Sequence, residues 1–140
     1  MLPNRSIQRA TVIPVLAYPD VNEAAAWLCG AFGFTVRLRI GKHRVQLNVG
    51  DGAVTVRELR PSEVGVALGL GYSVTVRVED VDAHYRRARS FGARITEDPV
   101  TQPYGERQYN AVDFAGYSWT FSQSVADVHP QDWGGTAEQL

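Results

Sequence analysis

The chain is short of several residue types, and each shortage narrows what it can be. A single cysteine, Cys29, excludes an internal disulfide framework and suits a reducing compartment, here expected to be the cytoplasm. The only histidines are His43, His84 and His129, and no two stand at the His-x-His or His-x-x-x-His spacing that a metal favours. Of the 14 basic residues only Lys42 is a lysine. There is no run of like charge and the net charge is −1, so neither nucleic acid nor an anionic membrane is expected as a partner. No stretch approaches the ~18 continuous apolar residues of a membrane helix, and Met1 to Ala10 lacks the apolar core of a signal peptide. Glycine-rich phosphate loops and serine-centred elbows are missing too, so no cofactor is expected.

What is present is a globular composition, 44% apolar and 21% charged over 140 residues, the size of one ordinary domain. Residues 11–18 are rich in Val, Ile and Leu and run into Pro19-Asp20, which predicts a strand followed by a capped helix over 21–32 with an apolar stripe at Ala24, Trp27, Leu28 and Ala31. Gly33 supplies its stop. Strands are predicted over 34–40, 43–49 and 53–59, separated by Gly41-Lys42 and Gly50-Asp51-Gly52. Residues 60–71, with one proline and three glycines, read as a linker. The pattern then recurs: a strand over 72–79, Asp80 capping a helix over 81–91, Gly92, and strands over 93–97, 107–113 and 118–124. The tail from Ala126 reads as loosely attached.

The recurrence is visible in the letters. Leu16-Ala-Tyr-Pro-Asp20-Val-Asn-Glu-Ala24 aligns with Val76-Arg-Val-Glu-Asp80-Val-Asp-Ala-His84, sixty positions on. An internal repeat is a stronger clue to architecture than any single motif. It predicts an α+β fold of two βαβββ modules, residues 11–59 and 72–125, forming a curved mixed sheet around a concave cleft in one 1–140 domain.

A doubled βαβββ with these strand–Asp–Val–helix–Gly signatures resembles the vicinal oxygen chelate superfamily of glyoxalases, extradiol dioxygenases and bleomycin-resistance proteins. Pro103-Tyr-Gly105 followed by Asp113-Phe-Ala-Gly116-Tyr-Ser-Trp119 looks like the family's closing hairpin. The resemblance implies that metal-dependent members take ligands from the strands lining the concave face. By the turn aspartates those positions fall here on Ile13 or Pro14, on Thr55 or Arg57, on Ser73 and on Thr120. None is a credible ligand for a divalent cation, so the chain is expected to hold no metal.

Strand alternation nominates the cleft floor. With Val74, Val76 and Val78 facing the helices, Ser73, Thr75 and Arg77 face the cleft. The same parity adds Arg37, Arg39, Arg44, Gln46, Asn48, Thr55, Arg57, Arg107, Tyr109, Thr120 and Ser122. Tyr104, in the Pro103–Gly105 loop, is a further candidate wall. Six arginines among these predict an anionic or strongly accepting ligand beside an aromatic or apolar body. Trp27, Trp119 and Phe121 are expected in the core, and His84 reads as a helix-edge packing residue. Cys29 reads as a buried thiol, and His43 as a solvated hairpin residue. The leading reading is a metal-independent small-molecule binding protein that sequesters an antibiotic or metabolite, working as a homodimer. The alternatives are a glyoxalase-like lyase or isomerase, using Glu58, His43 or Tyr109 as acid or base, and an interaction or regulatory module without catalysis. The parity argument puts almost no carboxylate in the cleft, which favours binding over chemistry.

Overall fold

The computed structural model describes residues 2–140. The chain divides into two compact units, residues 1–68 and 69–140, with the boundary inside the glycine-rich 60–71 segment. Each unit is a four-stranded mixed sheet with one helix packed on one face.

In the first unit, β1 (Val15–Tyr18) leads into α1 (Val21–Phe32), then β2 (Thr35–Ile40), β3 (Arg44–Val49) and β4 (Gly52–Glu58). The sheet order is β1-β4-β3-β2, with β1 parallel to β4 and the remaining pairs antiparallel. The α1 cap is formed as read: Asp20 Oδ1 accepts from Glu23 N at 2.9 Å. At the other end Gly33 takes φ 77, which a β-carbon disfavours, and its N–H closes on the Cys29 carbonyl. Ala24, Leu28 and Ala31 are buried against the sheet residues Leu16, Val45, Leu47, Val54 and Val56, whereas Trp27 and Cys29 are only half-buried.

The second unit repeats the plan: β5 (Ser73–Arg77), α2 (Val81–Ser90), β6 (Arg94–Thr101), β7 (Glu106–Val112) and β8 (Ser118–Ser124), in the order β5-β8-β7-β6. Asp80 Oδ1 accepts from Ala83 N at 3.0 Å, the counterpart of the Asp20 cap. The sixty-residue repeat is therefore a repeat of whole modules. The edge strand β6 runs further than expected, to Thr101, passing Pro99 through register breaks between Ile95 and Glu97 and between Glu97 and Val100. An edge strand tolerates a proline because one side of it has no neighbour to donate to.

The closing turn between β7 and β8 is organised by Asp113, which is 4% exposed. Its Oδ1 accepts from Ala115 N and Tyr117 N, each at 3.0 Å, and its Oδ2 accepts from Trp119 Nε1 at 3.1 Å. The tail also differs from expectation. Val125 N and Ala126 N both donate to the Gly105 carbonyl, and Trp133 packs on Tyr104 with ring centroids 5.0 Å apart. A β-carbon on Gly105 would lie 2.4 Å from the Ala126 carbonyl oxygen, so this contact requires glycine there.

Candidate functional site

Each sheet has a face turned away from its helix, and these two open faces are where candidate site residues belong. In the first unit the cross-strand register puts Arg44, Gln46, Asn48, Ala53, Thr55 and Arg57 on that face. Most of what was expected there is there, but not as unpaired charge. Arg57 forms a bidentate pair with Glu63, at 2.8 and 2.7 Å. That guanidinium and the Arg60 backbone N–H hold the Glu63 carboxyl down at about 2. Arg37 donates to Gln46 Oε1 and, at 2.8 Å, to the Arg5 carbonyl.

Arg39 is not on this face. The register shifts between Val36 and Leu38, so Leu38 pairs with Gln46 and Arg39 with the core residue Val45. Arg39 then reaches Asn22 of α1 at 2.6 Å. A β-bulge inserts one residue and inverts the alternation beyond it. In exchange, Leu38 and Ile40 turn to the open face, and Ile40 joins Val15, Arg44, Gln46 and Thr55 in lining a pocket of about 150 Å³. A second, more polar pocket of about 250 Å³ is lined by Arg37, Asn48 and the Gly50–Gly52 turn.

In the second unit Ser73, Thr75, Arg77, Thr120 and Ser122 share the open face as expected, through the pairs Thr75↔Thr120 and Arg77↔Ser122. Arg107 and Tyr109 do not. Tyr109 lies opposite Phe121 and is fully buried, stacked on it at 5.2 Å, with its hydroxyl hydrogen-bonded to His84 of α2. Burial pushes its phenol well above the usual range. Arg107, on the same side, forms an ion pair with Asp82 of α2 at 3.1 Å. His84 itself stacks on Phe121 at 4.1 Å, so it packs at the helix–sheet junction.

The residues that replace them on the open face are Glu106, Gln108 and Asn110, paired with Ser124, Ser122 and Thr120. They form two separate hydrogen-bonded chains. Tyr104 Oη donates to Gln108 Oε1 at 2.9 Å, Gln108 Nε2 donates to Ser122 Oγ at 3.0 Å, and Ser122 Oγ donates to Glu106 Oε1 at 2.6 Å. Thr120 Oγ1 donates to Asn110 Oδ1 at 2.7 Å, and Asn110 Nδ2 to Glu97 at 2.9 Å. A carboxylate on this face was not anticipated. Burial pushes the Glu106 carboxyl up, but the Ser122 and Ser124 hydroxyls and the charge of Arg77 outweigh it and leave it below its ordinary value. Pairing back along the hairpin from Val112↔Ser118 would have placed Tyr109 opposite Phe121 from sequence alone.

The other acid and base candidates are solvated. His43 Nδ1 and Glu58 Oε2 lie 3.1 Å apart with side chains 74% and 59% exposed. For a divalent cation the donor set is poor. The expected ligand positions carry Ile13, Thr55, Ser73 and Thr120, and Thr120 is committed to Asn110. No group of three or more His, Cys, Asp or Glu residues is gathered among the described residues. These residues do not fit a metal centre. No helix among the described residues is long and apolar enough to cross a membrane.

The family described as Glyoxalase/Bleomycin resistance protein/Dioxygenase superfamily matches residues 10–121. TioX from Micromonospora sp. ML1 is 36% identical, with a TM-score of 0.68 over 81% of this chain and 97% of that one. A glyoxalase/bleomycin resistance protein/dioxygenase family enzyme from Burkholderia phytofirmans PsJN shares the fold at 15% identity, with a TM-score of 0.68 over 80% and 96% of the two chains. So does a bleomycin-binding protein in complex with bleomycin, 24% identical, TM-score 0.63, covering 81% and 97%. No curated protein sequence matches the chain. The doubled βαβββ fold, the profile match and the TioX likeness agree: the chain belongs to the glyoxalase/bleomycin resistance/dioxygenase superfamily.

Proposed function

We propose that the chain is a metal-independent, cytoplasmic binding protein for a small organic molecule, which it sequesters on the open sheet faces as a homodimer. The observation that carries the reading is the state of Glu106. It is a carboxylate on the open face of the second sheet, as is Glu97, and hydroxyls and a nearby arginine keep it ionised. A carboxylate below its ordinary pKa is a good hydrogen-bond acceptor and a weak base, which serves recognition better than proton transfer. Around it, Tyr104, Gln108, Ser122, Asn110 and Thr120 offer fixed donors and acceptors. The bleomycin-binding neighbour of the same fold supports a small organic ligand.

The arginines support a narrower ligand than parity suggested. Arg39 and Arg107 are turned to the helices, and Arg37 and Arg57 already have acceptors. A ligand with several hydrogen-bonding groups around an aromatic or apolar body fits these faces, and a net negative charge is not required.

The test is a thermal-shift screen of the purified chain against bleomycin and a panel of aromatic antibiotics and metabolites. Each hit is then incubated with the protein and recovered for mass spectrometry. Stoichiometric binding with the ligand recovered unchanged is expected, and weaker binding by Glu106→Gln. Progressive conversion of a hit to product would overturn the reading in favour of an enzyme.

A further inference from the structure

Residues 4–8 precede the 10–121 segment that the superfamily matches, yet they lie on the open face of the first sheet. A turn is held by Asn4, whose Oδ1 accepts from Ser6 N at 3.0 Å and whose carbonyl accepts from Ile7 N at 3.4 Å. The next two carbonyls go to the sheet. The Arg5 carbonyl accepts from Arg37 Nη2 and the Ser6 carbonyl from Gln46 Nε2, both at 2.8 Å. Arg37 can only donate, so its bond to Gln46 Oε1 fixes that amide with Nε2 toward Ser6.

The internal repeat shows what is unusual about this contact. Val15 corresponds to Thr75, sixty positions on, and the strand pairs that follow make Gln46 the counterpart of Asn110. The Asn110 amide is met within its own sheet, by Thr120 and Glu97. Gln46 instead sends its donor to residues outside the module, and it is only 6% exposed although it faces away from the helix. The segment that covers it is held by few contacts. Residues 4–7 are exposed. Gln8 is a poor anchor, with Nε2 at 3.4 Å from the Leu47 carbonyl and Oε1 buried without a hydrogen-bond partner in the protein. Release returns that oxygen to water and restores backbone freedom, so the segment opens locally while the sheet stays folded. Opening leaves Arg37 Nη2 and Gln46 Nε2 without these acceptors.

We propose that residues 4–8 are a built-in occupant of a binding site on the first sheet, and that a peptide-like ligand displaces them by presenting two successive amide carbonyls to Arg37 and Gln46. An aliphatic group follows those carbonyls at the place of Ile7, which lines the pocket of about 150 Å³ beside Ile13, Val15 and Ile40 and the polar Arg44, Gln46 and Thr55. This inference rests on the small-molecule-binding reading and adds to it the chemistry of one ligand segment and the contact it must break. A site filled by its own chain binds an external ligand more weakly, in proportion to the fraction of molecules in which the segment is open.

The full chain, ¹⁵N-labelled, is titrated to about millimolar concentration, the range in which a tethered segment competes, with the acetylated and amidated peptide Pro3-Asn-Arg-Ser-Ile-Gln-Arg9. The same titration is made on the double variant Asn4→Ala, Gln8→Ala, which loses the turn bond and the anchor. The double variant is expected to bind the peptide about ten-fold more tightly than the wild type, the order of one hydrogen bond released. Bound peptide should shift the amides of residues 37 and 46, and move those of residues 5–8 of the protein toward the positions of a free segment. A peptide whose Ser6–Ile7 amide is replaced by a methylene amine, which has no carbonyl, should bind about ten-fold more weakly. If the double variant does not fold, Asn4→Ala alone, at an exposed position, takes its place. Equal peptide affinity for wild type and variant, shifts confined to the second sheet, or bound peptide that leaves residues 5–8 in place would each overturn the proposal. Small-molecule binding with no response to the peptide in any variant overturns this inference alone. A chain that binds nothing in either experiment overturns the binding reading as well.

Discussion

Replacing Asp113 tests whether one carboxylate organises the β7–β8 turn. Asp113→Ala removes the acceptor for three donors. Ala115 is exposed, so its N–H regains water, and that loss is small. Tyr117 and Trp119 are 4% and 1% exposed, and their N–H groups would remain buried without a partner. A hydrogen bond to a charged acceptor contributes ~1.5–3 kcal/mol, and an orphaned buried donor costs ~1–3 kcal/mol, so two such losses that are not additive give about 3–5 kcal/mol. For a protein of this length that corresponds to a fall in Tm of roughly 10–15 °C, a large fraction of a stability of ~5–15 kcal/mol. Asp113→Asn separates the contributions. Its Oδ1 still accepts the two backbone N–H groups, but its NH₂ confronts the indole N–H, and about 2 kcal/mol should be lost from that contact. Urea unfolding at neutral pH measures both variants, and a Trp119→Phe cycle isolates the side-chain pair. Removal of the indole N–H should destabilise the Asp113→Asn variant less than it destabilises the wild type. An Asp113→Asn variant within about 0.5 kcal/mol of wild type, or a strictly additive cycle, would show that the Trp119 bond does not hold the turn, since unrelated surface changes produce effects of that size.

Three further outcomes are expected. Glu63 titrates near 2 in the folded chain instead of 4.5, so its pairing with Arg57 stabilises the fold above about pH 4.5 and is lost as pH falls toward 2. The gap in urea midpoint between wild type and Glu63→Gln should therefore be constant from pH 7 to about 5 and close below that, and a gap independent of pH down to 2 would contradict the pairing. Elemental analysis of protein purified without a metal-chelating column should find no stoichiometric metal, because Ile13, Ser73 and Thr120, at positions where the family resemblance leads one to expect ligands, are poor donors for a divalent cation; one equivalent of zinc, iron, nickel or manganese would refute this. Light scattering on a sizing column should return twice the 15.4 kDa chain mass, since each four-stranded sheet has a helix on one face only. A concentration-independent monomer would refute that.

The amino-acid sequence by itself determined the doubled architecture. Two aspartate caps, two glycine stops and an aligned sixty-residue repeat are local signals, and local hydrogen bonding and backbone conformation enforce them wherever they occur. The helices and strands follow those signals closely because caps and turns act within a few residues of themselves. Which face a strand residue occupies is legible only while the alternation is unbroken. Ser73, Thr75, Arg77, Gln46 and Thr55 were placed correctly on that basis. Arg39 was not, because a bulge at Arg37 inverts the parity and nothing in the letters Thr-Val-Arg-Leu-Arg-Ile announces it. Tyr109 and Arg107 were misplaced because the count in β7 was not tied to the turn at Asp113. Only the pairing with β8 decides that Tyr109 lies in the core and Glu106 on the open face. The tertiary structure alone showed that Arg57 is matched by Glu63, that residues 4–8 lie on the first sheet, and that Gln8 brings an unmet acceptor with them. Those contacts join residues up to forty positions apart, and no periodicity in the chain encodes them.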